Sequence, residues 1–141
     1  MDEEVLVSCM KIFDYLDKNF KNINVHVEQW VLDDYSILPA ELHSENFKNG
    51  HFPEIFVNSS AEVRLSIDYI VTLGGDGTIL WASKQFHDEY IPPMICFSHG
   101  SLGYLCNFKI DEHPEVFENV FCEKCKLHLD NRLRLKCSVP G

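Results

Sequence analysis

Val5, Leu6, Cys9, Ile12, Phe13, Leu16 and Phe20 recur at three- and four-residue intervals among acids, lysines and asparagines. That period lines one face of a helix, predicted over residues 3 to 20. Ile23, Val25 and Val27 then alternate with Asn24, His26 and Glu28, the period of a strand. From Asp33 to Ala61 the pattern dissolves, punctuated by Pro39, Asn49-Gly50 and Pro53. A long irregular connection is expected there, with one short element near Glu54 to Val57. Ile67 to Leu73 is a mostly apolar, β-branched run, as in a strand covered on both faces of a parallel sheet. Ile79, Ala82, Ser83 and Phe86 restart the helical spacing, with Leu80 widening the face. Met94-Ile95-Cys96-Phe97, after Pro92-Pro93, reads as another buried strand. Val116, Phe117, Val120 and Phe121 mark a helix for which Asp111 is the expected cap. Finally Leu127, Leu129, Leu133, Leu135 and Cys137 share one face of a strand, opposite Lys126, His128, Arg132, Arg134 and Lys136. The order predicts an α/β protein with an open, doubly wound, mostly parallel sheet.

The chain has 141 residues, enough for one domain with a core of its own. Its formal net charge of −10 disfavours nucleic acid or an anionic membrane as partner, because those surfaces require clustered Lys and Arg. The apolar runs are too short to span a bilayer. Met1-Asp2-Glu3-Glu4 is acidic where a targeting peptide would be basic. Six cysteines scattered through predicted helices and strands read as reduced thiols in a cytoplasmic protein. Cys122-Glu123-Lys124-Cys125, with His128 beyond, has metal-like spacing. No second such pair completes a tetrahedron, so a helix end and the start of a strand are expected there and no metal site. Asn58-Ser59-Ser60 fits a glycosylation sequon, without meaning in a cytosolic chain.

The chemistry concentrates in Leu73-Gly74-Gly75-Asp76-Gly77-Thr78. This run falls where a predicted strand's carboxyl end turns into a helix, the place where open α/β sheets take ligands. Glycine tolerates positive φ and lets a ligand come close to the backbone. Amides opening the next helix attract phosphate. The alternative is a tight turn in which Asp76 or Thr78 merely caps the helix. A second glycine-bearing loop, at Gly100 and Gly103, favours a binding site.

The run Gly74 to Thr78 is shared by NAD kinases, by diacylglycerol and sphingosine-type lipid kinases and, more loosely, by phosphofructokinases. Lipid kinases continue with a proline-glycine-threonine segment leading to an Asn-Asp pair, which is absent here. Pro92-Pro93-Met94-Ile95-Cys96-Phe97-Ser98-His99-Gly100-Ser101-Leu102-Gly103-Tyr104-Leu105 closely resembles the NAD kinase loop instead. Ser66 to Ile70 and Asn131 to Leu135 resemble the eukaryotic type. The resemblance implies an N-terminal nucleotide-binding domain over residues 1 to 125. Residues 126 to 141 would begin a second, β-rich domain, and the family's first strand and the rest of that second domain would be missing.

It further implies transfer of the γ-phosphoryl of ATP, carried with Mg²⁺ or another divalent cation, to the 2′-hydroxyl of the adenosine ribose of NAD. Asp76 would be the general base. Asp76, Gly77, Tyr104 and Trp81 would bind NAD, and Gly74, Gly75, Gly77 and Thr78 would offer amides and a hydroxyl to the ATP phosphates. Core packing remains open for Tyr104 and helix-face packing for Trp81. Arg132, Arg134 and Lys136 read as a solvated strand face or a phosphate-facing patch, and His99 carries no assigned role. The partners implied are NAD, ATP and, in the complete protein, further copies of itself. Residues 1 to 141 alone are expected to be inactive. Two other readings stay open: a lipid kinase with the same loop, and a non-catalytic binding or regulatory fragment.

Overall fold

The computed structural model describes residues 2–56, 61–86, 90–123, 125–135 and 137–140. The expectations placed on Val57, on Asn58-Ser59-Ser60, on Lys124 and on Lys136 lie outside the described residues. The first helix, α1 (Glu3–Asn19), begins where Asp2 accepts a hydrogen bond from the Glu4 N–H at 3.1 Å. Such a cap contributes about 1 kcal/mol, and Glu3 and Glu4 in the first turn with Lys18 in the last complement the helix dipole.

Two adjacent stripes of α1 are buried. Leu6, Met10 and Phe13 pack on Val31 and Tyr35 of α2 (Gln29–Ser36). Ile12 and Leu16 pack on Ile95, Phe97, Val116 and Phe117. One helix thereby covers two parallel sheets. The smaller joins β1 (His26–Val27) to β2 (Glu54–Ile55). The larger has the order β3-β4-β5, from Ile70–Leu73, Met94–Ser98 and Phe108–Lys109, with Ile70 opposite Met94 and Leu73 opposite Phe97.

Alternation along β4 assigns its two faces. Ile95 and Phe97 meet α1 and α6 (His113–Val120), whereas Cys96 joins Ile79 of α5 (Asp76–Lys84) and Cys106 in a second cluster. Helices therefore lie on both faces, as doubly wound architecture requires. Phe97 and Phe117, both fully buried, put their rings 5.6 Å apart at the centre.

Several sequence expectations are corrected. Helix α2 starts at Gln29 and runs into the stretch expected to be irregular, which also holds a 3-10 turn at Ala40–Leu42 and α3 (Glu45–Lys48), whose first turn is capped by the Ser44 hydroxyl. Tyr35 organises this stretch: its hydroxyl donates to the Leu42 carbonyl at 2.9 Å and accepts from the Ser44 N–H at 2.8 Å. A short helix, α4 (Ala61–Leu65), and β5 were also unforeseen. The strand expected over residues 23 to 27 shortens to β1, and that over 67 to 73 to β3. Leu80 is 56% exposed, so it does not widen the buried face of α5. Asp111 is not the cap of the last helix. Glu112 stands at the cap position without a side-chain cap bond, and its carboxylate instead accepts from the Lys109 N–H at 2.6 Å, closing the preceding 3-10 turn at Ile110–Glu112. The described residues from 126 onward form no strand, and Leu129, Leu133 and Leu135 are exposed. A strand is stabilised by a neighbour's ladder, and that alternation finds none among the described residues.

Candidate functional site

Strand β3 ends at Leu73, and the turn to α5 is made by Gly74 and Gly75. Gly74 has φ +146°, its N–H donates to the Phe97 carbonyl at 3.0 Å, and a Cβ there would collide with Thr78 Oγ1. Backbone conformation and crowding both demand glycine at that position. Gly75 and Gly77 differ. Neither has a positive φ, and no atom lies within 4 Å of where a Cβ would stand on either. Glycine in a helical turn is about 1 kcal/mol less favourable than alanine, and no contact among the described residues explains Gly77. What the two bare positions do provide is open backbone facing solvent at the start of a helix, the surface a phosphate requires.

The second loop follows β4 and turns at Gly100, where φ is +138°. It then runs back beneath the first. The Tyr104 N–H donates to Asp76 Oδ2 at 2.8 Å and the Leu105 N–H to Asp76 Oδ1 at 2.9 Å. The Cys106 thiol donates to the Gly74 carbonyl at 3.4 Å. A carboxylate that accepts N–H bonds is stabilised in its charged form. The Leu105 and Tyr104 amides, with smaller help from the Cys106 amide and the Arg132 charge, hold Asp76 below the usual carboxylate range against partial desolvation. Two carboxylate oxygens offer about four acceptor positions, so room remains for a ligand hydroxyl.

Gly74, Gly75, Asp76, Gly77, Thr78 and Tyr104 thus come together where the carboxyl ends of β3 and β4 meet α5. Tyr104 is 87% exposed, which removes the core-packing alternative and leaves its ring in solvent while its N–H holds Asp76. Trp81, further along α5, is 45% exposed and outside the buried face carried by Ile79 and Ala82. Arg132 acts on Asp76 through its charge while pairing with Asp130 at 2.8 Å, and Arg134 donates to the Ser83 carbonyl at 3.5 Å. The tail therefore passes along α5. His99 has a structural partner: its Nε2 lies 2.8 Å from the Ser8 hydroxyl of α1.

Cys122 and Cys125 share a turn, the Cys125 N–H donating to the Cys122 carbonyl at 3.2 Å. Among the described residues no group of three or more His, Cys, Asp or Glu side chains is placed to hold a metal ion. No helix among them is long and apolar enough to cross a membrane. The sequence marked Gly103 only as part of a glycine-bearing loop and gave Leu105 and Cys106 no role in the site. The sequence shows a glycine beside an aromatic, but the partner that gives it meaning, Asp76, lies a strand and a helix earlier.

Fold and site together define a doubly wound α/β domain with its glycine turns at the carboxyl ends of neighbouring parallel strands, the ligand-taking edge of such sheets. The chain belongs to the NAD kinase family: residues 3–124 match the ATP-NAD kinase N-terminal domain. It is similar to the NAD(+) kinase of Saccharomyces cerevisiae, 32% identical over 139 residues that cover 97% of this chain and 23% of that protein. To the probable NAD kinase 1 of Oryza sativa subsp. japonica it is 34% identical over 132 residues, 92% of this chain and 23% of the relative. The crystal structure of yeast NADH kinase complexed with NADH matches it with a TM-score of 0.64 at 28% identity, covering 82% of this chain and 33% of that one. The chain therefore spans from 23% to 33% of the length of these relatives.

Proposed function

We propose that these residues form the nucleotide-binding part of an enzyme that moves the γ-phosphoryl of ATP to the 2′-hydroxyl of the adenosine ribose of NAD, giving NADP. The observation that carries this reading is Asp76: one carboxylate set among open glycine backbone, both its oxygens aimed by backbone N–H groups at 2.8 and 2.9 Å. Phosphoryl transfer asks a protein mainly to position groups and stabilise charge. The open amides after Gly75 receive phosphate oxygens, and the exposed Tyr104 ring offers a face to the nucleotide. The depressed Asp76 carboxylate is ionised at neutral pH and weakly basic. It orients the acceptor hydroxyl first and takes its proton late, once bond formation has acidified that hydroxyl. A divalent cation such as Mg²⁺, carried with ATP, would neutralise phosphate charge, and the Thr78 hydroxyl would face the phosphates or that cation. The names of the relatives, NAD(+) kinase and NADH kinase, support the substrate assignment.

The same proposal includes self-association of the complete protein and a reducing compartment such as the cytoplasm, the latter supported by six free cysteines. The test is incubation of the chain, continued to its relatives' length, with labelled ATP and either NAD or diacylglycerol. Label in NADP alone supports the reading, and label in the lipid alone replaces it with a lipid kinase. Nucleotide binding without transfer to either points to a regulatory module.

A further inference from the structure

Gly103 is the one glycine of the second loop whose presence neither its backbone nor its own surroundings in that loop account for. Its φ is not in the left-handed region, unlike that of Gly100, so the backbone alone would accept any residue. Gly100 in turn has no atom within 4 Å of its would-be Cβ, so only its conformation demands glycine. At Gly103 the obstacle is a single group. A Cβ there would overlap Asp76 Oδ1 and stand 2.9 Å from its Cγ and 3.1 Å from Oδ2. The next two residues, Tyr104 and Leu105, deliver the N–H groups that hold that carboxylate. The bare α-carbon thus lies where any side chain would run into the Asp76 carboxylate.

We propose that Gly103 is a positioning residue, its missing side chain letting the Tyr104 and Leu105 N–H groups close on Asp76 and fix the direction of the carboxylate toward the acceptor hydroxyl. Cys106 completes the arrangement from below by holding the Gly74 carbonyl, so the two glycine loops are joined at three points. Around the carboxylate the other groups that act on it electrostatically are Arg132, which favours its charge, and the Cys96 and Cys106 thiols, whose ionisation it opposes. The proposal rests on the NAD kinase reading only for its effect on rate. The geometry is read without turnover.

The test is NMR on the protein labelled with ¹³C at the aspartate carboxyls, with the Asp76 resonance assigned by its loss in Asp76→Asn. In the unaltered protein the Tyr104 and Leu105 amide protons should titrate together with the Asp76 carboxyl, with a common midpoint below the ordinary aspartate value of about 3.9. In Gly103→Ala that midpoint should move up toward the ordinary value and the two amide shifts should shrink. Where NADP formation is measurable, kcat should fall about a hundredfold with little change in the KM for ATP, the scale expected for a displaced catalytic group. A Gly103→Ala protein that keeps the low Asp76 midpoint overturns the proposal. So do Tyr104 and Leu105 amides that ignore Asp76 in the unaltered protein, a result that decides the matter even if the variant does not fold. The expected titrations without any NADP would remove the functional reading and leave the role of Gly103 standing.

Discussion

The Ser8 hydroxyl and the His99 imidazole meet at 2.8 Å, joining the first helix to the second glycine loop across 91 residues of sequence. Glu4, one turn earlier on α1, stands 3.9 Å from the other ring nitrogen. The loop that carries Tyr104 is therefore held from two sides, by α1 at His99 and by Asp76 at its far end. Ser8→Ala removes the first hold. Replacing a partly buried hydrogen-bond partner should lower stability by about 1 kcal/mol in urea titrations. It should also speed amide exchange between Gly100 and Tyr104 while sparing α6.

Asp76→Asn should keep the fold, because Asp76 belongs to none of the buried clusters. The asparagine offers one acceptor oxygen and one amino group to two N–H donors, so one contact becomes unfavourable. In a chain that makes NADP, turnover should fall at least about a hundredfold, the range for losing a general base. Near-normal turnover would remove the assigned role.

The low folded-state value of Asp76 also fixes a pH dependence. A carboxylate stabilised in the folded state contributes stability above its unfolded pKa of about 3.9, and loses it as pH falls through the lower folded value. The difference in stability between the unaltered protein and Asp76→Asn should therefore hold steady at neutral pH and narrow below about pH 4. Denaturant midpoints between pH 3 and 7 read this directly, and a gap that widens with acid contradicts the assignment.

Thiol labelling should sort the cysteines by environment. Cys137 is exposed and should react first. Cys125 is exposed too, but its hydrogen bond with the Cys122 thiol pushes its pKa up and should slow it. Cys96 and Cys106 are buried and should wait for unfolding. Burial pushes the Cys9 thiol up to about 11. A thiol raised in the folded state supports stability below its unfolded value and loses that support as pH rises toward 11, so the stability difference between the unaltered protein and Cys9→Ala should shrink over that range.

Phe97→Ala should lower stability by about 3–5 kcal/mol, the usual loss for a large side chain at the centre of a core. Phe97 is fully buried between Phe117 and Phe108, with ring separations of 5.6 and 6.0 Å. Equilibrium unfolding in urea checks it.

The elements legible in the sequence were those whose own period carried the message. In α1, five buried residues repeat at helical spacing, and β4 is a continuous apolar run after two prolines. The glycine turn was legible because glycine and a lone acid have few other uses between a strand and a helix. Helix α2 was hidden because two residues anchor it, Val31 and Tyr35, and one of them works through a phenol bonded to backbone seven and nine residues away. The alternation of Leu127 to Cys137 misled in the opposite direction, since period two describes a strand's faces without supplying a neighbour to pair with. Within the site the same limit applies. Asp76 and Tyr104 could be named from their motifs, but the contact between them depends on how two loops fold back on each other.

The central claim is that the open backbone at Gly75 and Gly77, together with Tyr104, forms one wall of a nucleotide site. The most direct measurement is an NMR titration of the isotopically labelled protein with NAD, and separately with Mg·ATP, following backbone amides. The account predicts that the largest shifts fall on Gly75, Gly77, Thr78 and Tyr104, that Phe117 and Tyr35 stay unmoved, and that a bulky residue at Gly77 abolishes the response. Nucleotide-induced shifts centred elsewhere in the chain, with the glycine turn unchanged, would contradict it.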